Sequence, residues 1–400
     1  MSGLSAAVHA SRKNIKVEIH ESAKFPGGRC RSFYDTKLKT DIDNGNHLVF
    51  SANENFKEFC EIIGTTSSLK ELPPELYFFD CDSKDKWNLN FSTSFYKLLF
   101  DKNNLIPKTK LKDYLSFLKF FFVSQNSSVF KIVGQSKIFK TFWEPLTIGV
   151  MNTDPSKASA KVLSNVLKKT LFRGPKYCKV LQPIENWNNT LIEPAINHII
   201  NKGGKIFYSN ILRKIVISKN KVSELWFTNK KIYLKDNDKV LISIPPTNLS
   251  KILNGNNLPK EYNTILNIHF KIKTEYIAFF KKPIVGFVNS ISQWLFVKND
   301  HLSITVSDAN SLNNMDSNIL VNKVWEEISS YLNKKINFES FQIVREKKAT
   351  YVQSPNNINL VRNFEKKPEN LLIAGDWTQY NLPCTIEASI LSGKKAIDII

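Results

Sequence analysis

The sequence is poor in cysteine, methionine, glycine and acid, and each shortage excludes something. Its five cysteines (Cys30, Cys60, Cys81, Cys178 and Cys384) are scattered through 400 residues with no CxxC pair. With no histidine cluster at zinc spacing either, neither a disulfide framework nor a metal site is expected, and reduced thiols in a cytoplasmic setting follow. No stretch reaches the roughly 18 consecutive apolar residues that a membrane-spanning helix requires. The first thirty residues also lack the basic, apolar and small-residue order of a secretory signal. Acids are outnumbered, 36 Asp and Glu against 56 Lys and Arg, for a formal net charge of +20. Such a charge attracts nucleic acid, anionic lipid or acidic substrates. A coding bias toward Lys, Asn and Ile would produce the same excess. No nucleic-acid motif accompanies the charge, which leaves lipid as the expected partner.

What is present is a chain that can fold around a large core. At 42% hydrophobic and 23% charged, it suits two domains or one large discontinuous unit. Residues 3–11 (GLSAAVHAS) are small, with Leu4, Ala7 and Val8 at helical spacing, and predict a helix that packs closely on a sheet. Residues 16–20 predict a strand that stops at Glu21. In a dinucleotide-binding βαβ unit, glycine lets the backbone approach a pyrophosphate at a helix N-terminus, and an acid after the next strand bonds the ribose. Gly3 and Glu21 stand eighteen residues apart, about the interval between the third glycine of GxGxxG and that acid. The strand and the first two glycines of such a unit are not in the sequence. The expectation is therefore a nucleotide-binding sheet without its first strand.

Further motifs follow: FPGGRCRSF at 25–33, DIDNGNHL at 41–48, and NLLIAGDWT at 370–378 leading to LPCTIEAS at 382–389. In that order they resemble the flavin amine oxidase and phytoene desaturase superfamily. FWEPLTIGVMNT at 142–153, KAS at 157–159, QWLF at 293–296 and REKKAT at 345–350 narrow the match. Across essentially the whole chain the sequence is similar to the hydroxysqualene dehydroxylases, with Asn46 in place of the glutamine of their DNGQH.

The resemblance implies an α/β fold: a Rossmann-like, GR2-type FAD-binding domain from residues 1–50, 190–254 and 366–400, and an inserted α+β substrate domain from 51–189 and 255–365. It implies FAD as cofactor. Gly3 would lie beside the pyrophosphate, Glu21 on the adenosine ribose, and Gly28 and Arg29 along the phosphates and ribityl chain. Gly45 lies in the turn the family places near the flavin. Gly375 and Asp376 would meet the ribityl hydroxyls, and Thr385 and Ile386 would open a helix facing the flavin ring, where the helix dipole favours negative charge on the reduced form. The family's reaction replaces an allylic hydroxyl of a polyisoprenoid with hydrogen, giving squalene for hopanoid or related lipid synthesis.

That chemistry asks for an acid, a hydride and a dry tunnel. His47 and Glu144 are the candidate acids, the first because an imidazolium titrates in the useful range, the second because its apolar neighbours would raise its pKa. Trp143, Trp294 and Trp377 are candidate tunnel walls whose faces would favour a cation; core packing is the alternative for each. His9, His20, His198, His269 and His301 read as structural. The segment 105–123 mixes Lys108, Lys110, Lys112 and Lys119 with Leu111, Leu115, Leu118 and Phe120–Phe122. It suits either an anionic membrane interface or a helix packed on the substrate domain with a solvated lysine edge, and both hold if it frames a tunnel mouth; the first implies a peripheral position on the cytoplasmic face. Two other readings stay open: a carotenoid-type desaturase or isomerase, and a lipid-binding relic without a complete FAD site. No motif names the reductant.

Overall fold

The computed structural model describes residues 1–93, 105–253, 257–364 and 368–400. The expected domain boundaries at 254/255 and 365/366 lie at or within the segments outside the described residues. The first helix, Ser2–Arg12, is buried over most of its surface, Ser5 and Ala6 included, as its small side chains predict. Its partner is the last helix, Ile386–Asp398. A Cβ on Gly393 would stand 2.5 Å from the Ser2 carbonyl and 2.6 Å from the Ala6 nitrogen, so only glycine permits that approach. Ser5 Oγ donates to the Ile390 carbonyl at 2.8 Å, across 385 residues of sequence.

Two parallel strand pairs lie against this helix pair: Glu18–His20 with Lys205–Phe207, and Val240–Ile242 with Leu371–Ile373. Val17 and Leu241, one from each pair's vicinity, pack on the same cluster of Ala6, Ala10 and Ile397. One helix thus serves both pairs, and parallel pairing of strands this far apart in sequence is what crossover connections produce.

The largest sheet has seven strands, in the order Ser340–Tyr351, Tyr262–Lys271, His301–Val306, Trp294–Val297, Ile284–Val288, Glu75–Asp80 and Lys86–Asn90. Successive side chains of a strand face opposite ways. Leu266, Ile268, Phe270, Leu302 and Ile304 accordingly join Leu320 and Val324 of the helix Ser317–Leu332 in one apolar core. The alternate residues, Asn267, His269, Ser303 and Thr305, are just as buried, although they are polar. They face the turn after the short hairpin Ser32–Asp35 and Thr40–Asp43. A second core packs Trp143 against Phe117, Phe120 and Phe142.

The segment Leu111–Phe122 is a 3-10 helix. With three residues per turn, every third side chain shares a face. Tyr114, Phe117 and Phe120 are buried, while Leu115, Leu118 and Phe121 are exposed along a second face. Among the described residues, no helix is long and apolar enough to cross a membrane.

Candidate active site

Residues from both ends of the chain converge on one ion pair. Gly27 and Gly28 have φ of 99° and 57°, left-handed values that favour glycine, and they bend the backbone into the 3-10 turn Gly28–Cys30. This aims Arg29 at Asp376, Nη2 to Oδ2, at 2.8 Å. Arg29 Nη1 also donates to the Ala349 carbonyl, from the longest strand of the large sheet. Asp376 is held in place by the backbone of its own turn, since Oδ1 accepts from the Trp377 amide at 3.0 Å. Burial opposes the arginine's charge, but Asp376, together with Cys384 and Glu346, outweighs it and holds the guanidinium pKa above its ordinary value.

The site is a cradle rather than a plug. Asp376 is 8% exposed but the Arg29 side chain is 41% exposed, and a Cβ on Gly28 would meet nothing within 4 Å. A flat ligand can therefore lie against backbone at Gly28. Gly375 has the opposite requirement. A Cβ there would come within 2.4 Å of Trp377 Nε1, which donates to the Ile244 carbonyl at 3.1 Å. Thr385 caps the last helix, accepting from the Ala388 amide at 3.4 Å, with Ile386 as its first residue. Glu387 accepts from the Asn55 and Phe56 amides and so fixes the start of the helix Glu54–Ile62. Gly3 packs against Ser243, whose Oγ a Cβ would meet at 2.6 Å. Glu21 follows the first strand, its Oε1 accepting from the Ala23 amide at 2.8 Å. The Tyr351 hydroxyl is buried near Asp376, Cys384 and Tyr262, with Gln353 within reach.

His47 lies under the GGR turn. The Arg29 carbonyl is within hydrogen-bonding reach of its ring, its edge meets Trp187, and Nε2 is buried without a partner. Burial pushes its pKa down to about 4, so the resting ring is neutral at pH 7. Close by, Asp43 accepts from Ser32 at 2.6 Å and pairs with Lys298 at 3.2 Å. Burial alone would raise its pKa, yet Lys298 and these hydrogen bonds hold it low. Gly45 is in contact with both neighbours: its Cβ would lie 3.6 Å from His47 Nε2 and 3.7 Å from Asn267 Nδ2.

Glu144 is placed differently. It pairs with Lys140 at 2.8 Å, one helical turn away, and lines a shallow cleft with Phe130, Phe139 and Asp154. The three tryptophans fall in two clusters, Trp143 and Trp294 in one and Trp377 in another. Trp143 is fully buried and donates to Ser116 Oγ at 3.1 Å. Among the described residues no group of three or more His, Cys, Asp or Glu could hold a metal ion.

Sequence reasoning missed the polar ceiling of the site. Asn46 Nδ2 donates to Ser303 Oγ at 2.7 Å and Thr305 Oγ1 at 3.0 Å, and Asn267 Nδ2 donates to the Asn44 carbonyl at 3.0 Å. The signal was the alternation in NIHFK and HLSITV, in which polar residues on one face ordinarily mean solvent.

Comparison with known proteins agrees with this geometry. The model of the flavin-containing amine oxidoreductases matches residues 1–400, and the chain belongs to that family: it is an FAD-dependent oxidoreductase. It is 31% identical over 402 residues to a hydroxysqualene dehydroxylase of Sinorhizobium fredii, covering 100% of this chain and 96% of that one. A hydroxysqualene dehydroxylase of Rhodopseudomonas palustris is likewise 31% identical, over 407 residues, with the same coverage. Among solved structures, a putative protoporphyrinogen oxidase from Exiguobacterium has the same fold, with a TM-score of 0.73 at 13% identity over 100% of this chain and 96% of that one. A putrescine oxidase, with 13% identity and the same coverage, gives 0.72. The open Gly28 backbone, the Arg29–Asp376 pair and the capped helix at Thr385 fit FAD.

The buried histidines make stability pH-dependent. Burial lowers His269 to about 3 and His47 to about 4, against about 6.5 in the unfolded chain. Below that value the unfolded state binds the extra protons, so stability falls as pH drops, by about 1.4 kcal/mol per pH unit for each ring. Thermal melts from pH 7.5 to 5 should show a steep decline in the wild type and a shallower one in His269→Leu. Parallel declines would contradict the assignment.

Proposed function

We propose that the protein reduces hydroxysqualene to squalene, the substrate's allylic hydroxyl leaving as water and hydrogen taking its place. The observation that carries this reading is 31% identity across the whole chain to hydroxysqualene dehydroxylases. In this reading residues 1–50, 190–254 and 366–400 form the FAD-binding unit, and 51–189 with 255–365 the inserted substrate domain. Gly3, Gly28, Arg29 and Asp376 hold the phosphates and ribityl chain, Glu21 the adenosine ribose, and Gly45, Gly375, Thr385 and Ile386 line the flavin. FAD, once reduced by a donor outside this chain, supplies the hydride.

Of the two candidate acids we take His47. It is buried beside the cradle with Nε2 free, whereas Glu144 is engaged by Lys140. A proton at Nε2 turns the leaving hydroxide into water, the better leaving group, and general acid catalysis of this kind is worth about 10²–10⁴ in rate. Trp294, which packs edge-on against Phe78, belongs to the same aromatic core as Trp143, and together they exclude water from the isoprenoid.

The substrate's insolubility calls for a membrane surface, and we assign its docking to the Leu111–Phe122 segment. Phe122 is 91% exposed and Leu115 60%, beside the exposed Lys108, Lys110, Lys112 and Lys119. Apolar side chains enter the interface while lysines meet anionic headgroups, which puts the protein on the cytoplasmic face.

Two measurements test the reading. The full-length FAD-loaded protein with a chemically reduced flavin should convert hydroxysqualene to squalene. Unchanged hydroxysqualene, or desaturation of phytoene instead, would refute the function. In flotation assays the protein should bind phosphatidylglycerol vesicles over neutral ones, and the pair Leu118→Ser with Phe122→Ser should weaken binding at least ~10-fold, since each buried side chain contributes about 1.5–3 kcal/mol. Equal binding to neutral vesicles, or an unaffected variant, would refute the docking surface.

A further inference from the structure

The inner face of the large sheet carries a polar strip that runs inward from the surface toward the turn that holds His47. In the antiparallel pair of Tyr262–Lys271 and His301–Val306, three successive cross-strand partners are Lys271 with His301, His269 with Ser303, and Asn267 with Thr305. Polar groups are rarely buried in a sheet without a use for them, because each must be desolvated. At one end Asp300, 42% exposed, meets His301 Nδ1 at 2.8 Å and Lys271 Nζ at 3.2 Å. The His301 ring lies 5.7 Å, centre to centre, from the fully buried His269 ring. Beyond it, Asp43 is a charged neighbour of both His269 and His47. Asn46 closes the far end of the strip against Ser303.

Along this line Nε2 of His301, Nε2 of His47 and Oδ1 of Asn46 are buried with no hydrogen-bond partner, and the His269 ring is within reach of the Asp43 backbone. Orphans are uncommon in protein interiors, and a run of them marks a path that ordered water completes. His47 also needs such a path. Its resting ring is neutral, so it stores no proton for the reaction and has to receive one before it gives one up.

We propose that the strip from Asp300 through His301 and His269 to His47 is a proton route from solvent into the active site. The inference rests on the dehydroxylation reading above. In each turnover the substrate's C–O bond breaks with its electron pair going to oxygen, which takes a proton from His47 Nε2 and leaves as water. The carbon takes a hydride, two electrons and a proton, from reduced flavin. His47 receives that proton beforehand, through water from His269, which takes one from His301, which takes one from solvent at Asp300, and the ring is neutral again once the water has left. His269 and His301 are positioning residues in this scheme, since neither touches the substrate.

The test uses the FAD-loaded full-length protein, hydroxysqualene and chemically reduced flavin. His269→Leu should lower kcat by about 10²-fold with KM and flavin content unchanged, and Asp300→Asn should lower it less. Imidazole in the buffer should restore part of the rate to His269→Ala, which a purely structural role would not allow; His269→Gln serves if the alanine variant fails to fold. A crystal structure of the loaded wild type should show ordered water bridging His301, His269 and His47. A wild-type rate in His269→Leu, no imidazole rescue, or a strip without water would overturn the route while squalene formation by the wild type keeps the function. Failure of the wild type to form squalene would overturn both.

Discussion

The Arg29–Asp376 ion pair is the constraint on which the site depends. Its two residues are 347 positions apart, and each sits on a tight glycine-bearing turn that does little by itself. Joined, they fix the GGR turn against the Gly-Asp turn and hold both against the Ala349 carbonyl of the large sheet. The Asp376 carboxylate is buried while the guanidinium stays partly exposed, so removing Arg29 leaves a buried charge without its partner, a larger loss than breaking a surface pair. The second turn is tied to the last helix, the Gly375 amide donating to Ser392 Oγ at 3.0 Å, and Gly393 beside it lets that helix pack closely on the first.

Around that pair the interior is unusually polar. One face of the large sheet builds an ordinary apolar core with the helix Ser317–Leu332, while the other buries Asn267, His269, Ser303 and Thr305. Desolvation sets the character of this second face. It keeps His269 and His47 neutral at rest, with Asp43, Arg29 and Lys298 as charged neighbours of His47. In the reaction proposed above the site has to exclude water from an isoprenoid and still admit protons, and an apolar wall carrying one narrow polar strip suits both needs.

The turns proposed to hold the cofactor carry local signatures in the sequence. GGR at 27–29, GD at 375–376 and the threonine cap at 385 each carry a short backbone signature, and the structure brings Arg29, Asp376 and Gly28 together. The substrate half was not legible, since its residues take their meaning from strand pairing. Nothing in NIHFK distinguishes a solvated polar face from a buried one until register places Asn267 opposite Thr305. Segment 105–123 was read as amphipathic from its lysines and aromatics, but its period of three emerges only in the 3-10 geometry. Glu144 looked buried from its neighbours Trp143 and Pro145, yet Lys140 reaches it from the preceding turn.

The most direct test is the affinity of the purified chain for FAD, followed by fluorescence quenching, in the wild type and in Asp376→Asn. Loss of a charge-assisted contact should weaken binding by roughly 10- to 100-fold, with the melting temperature of the cofactor-free chain as the control for folding. Unchanged FAD affinity in a folded Asp376→Asn protein would contradict the account, because the Arg29–Asp376 pair would then have no part in forming the cradle.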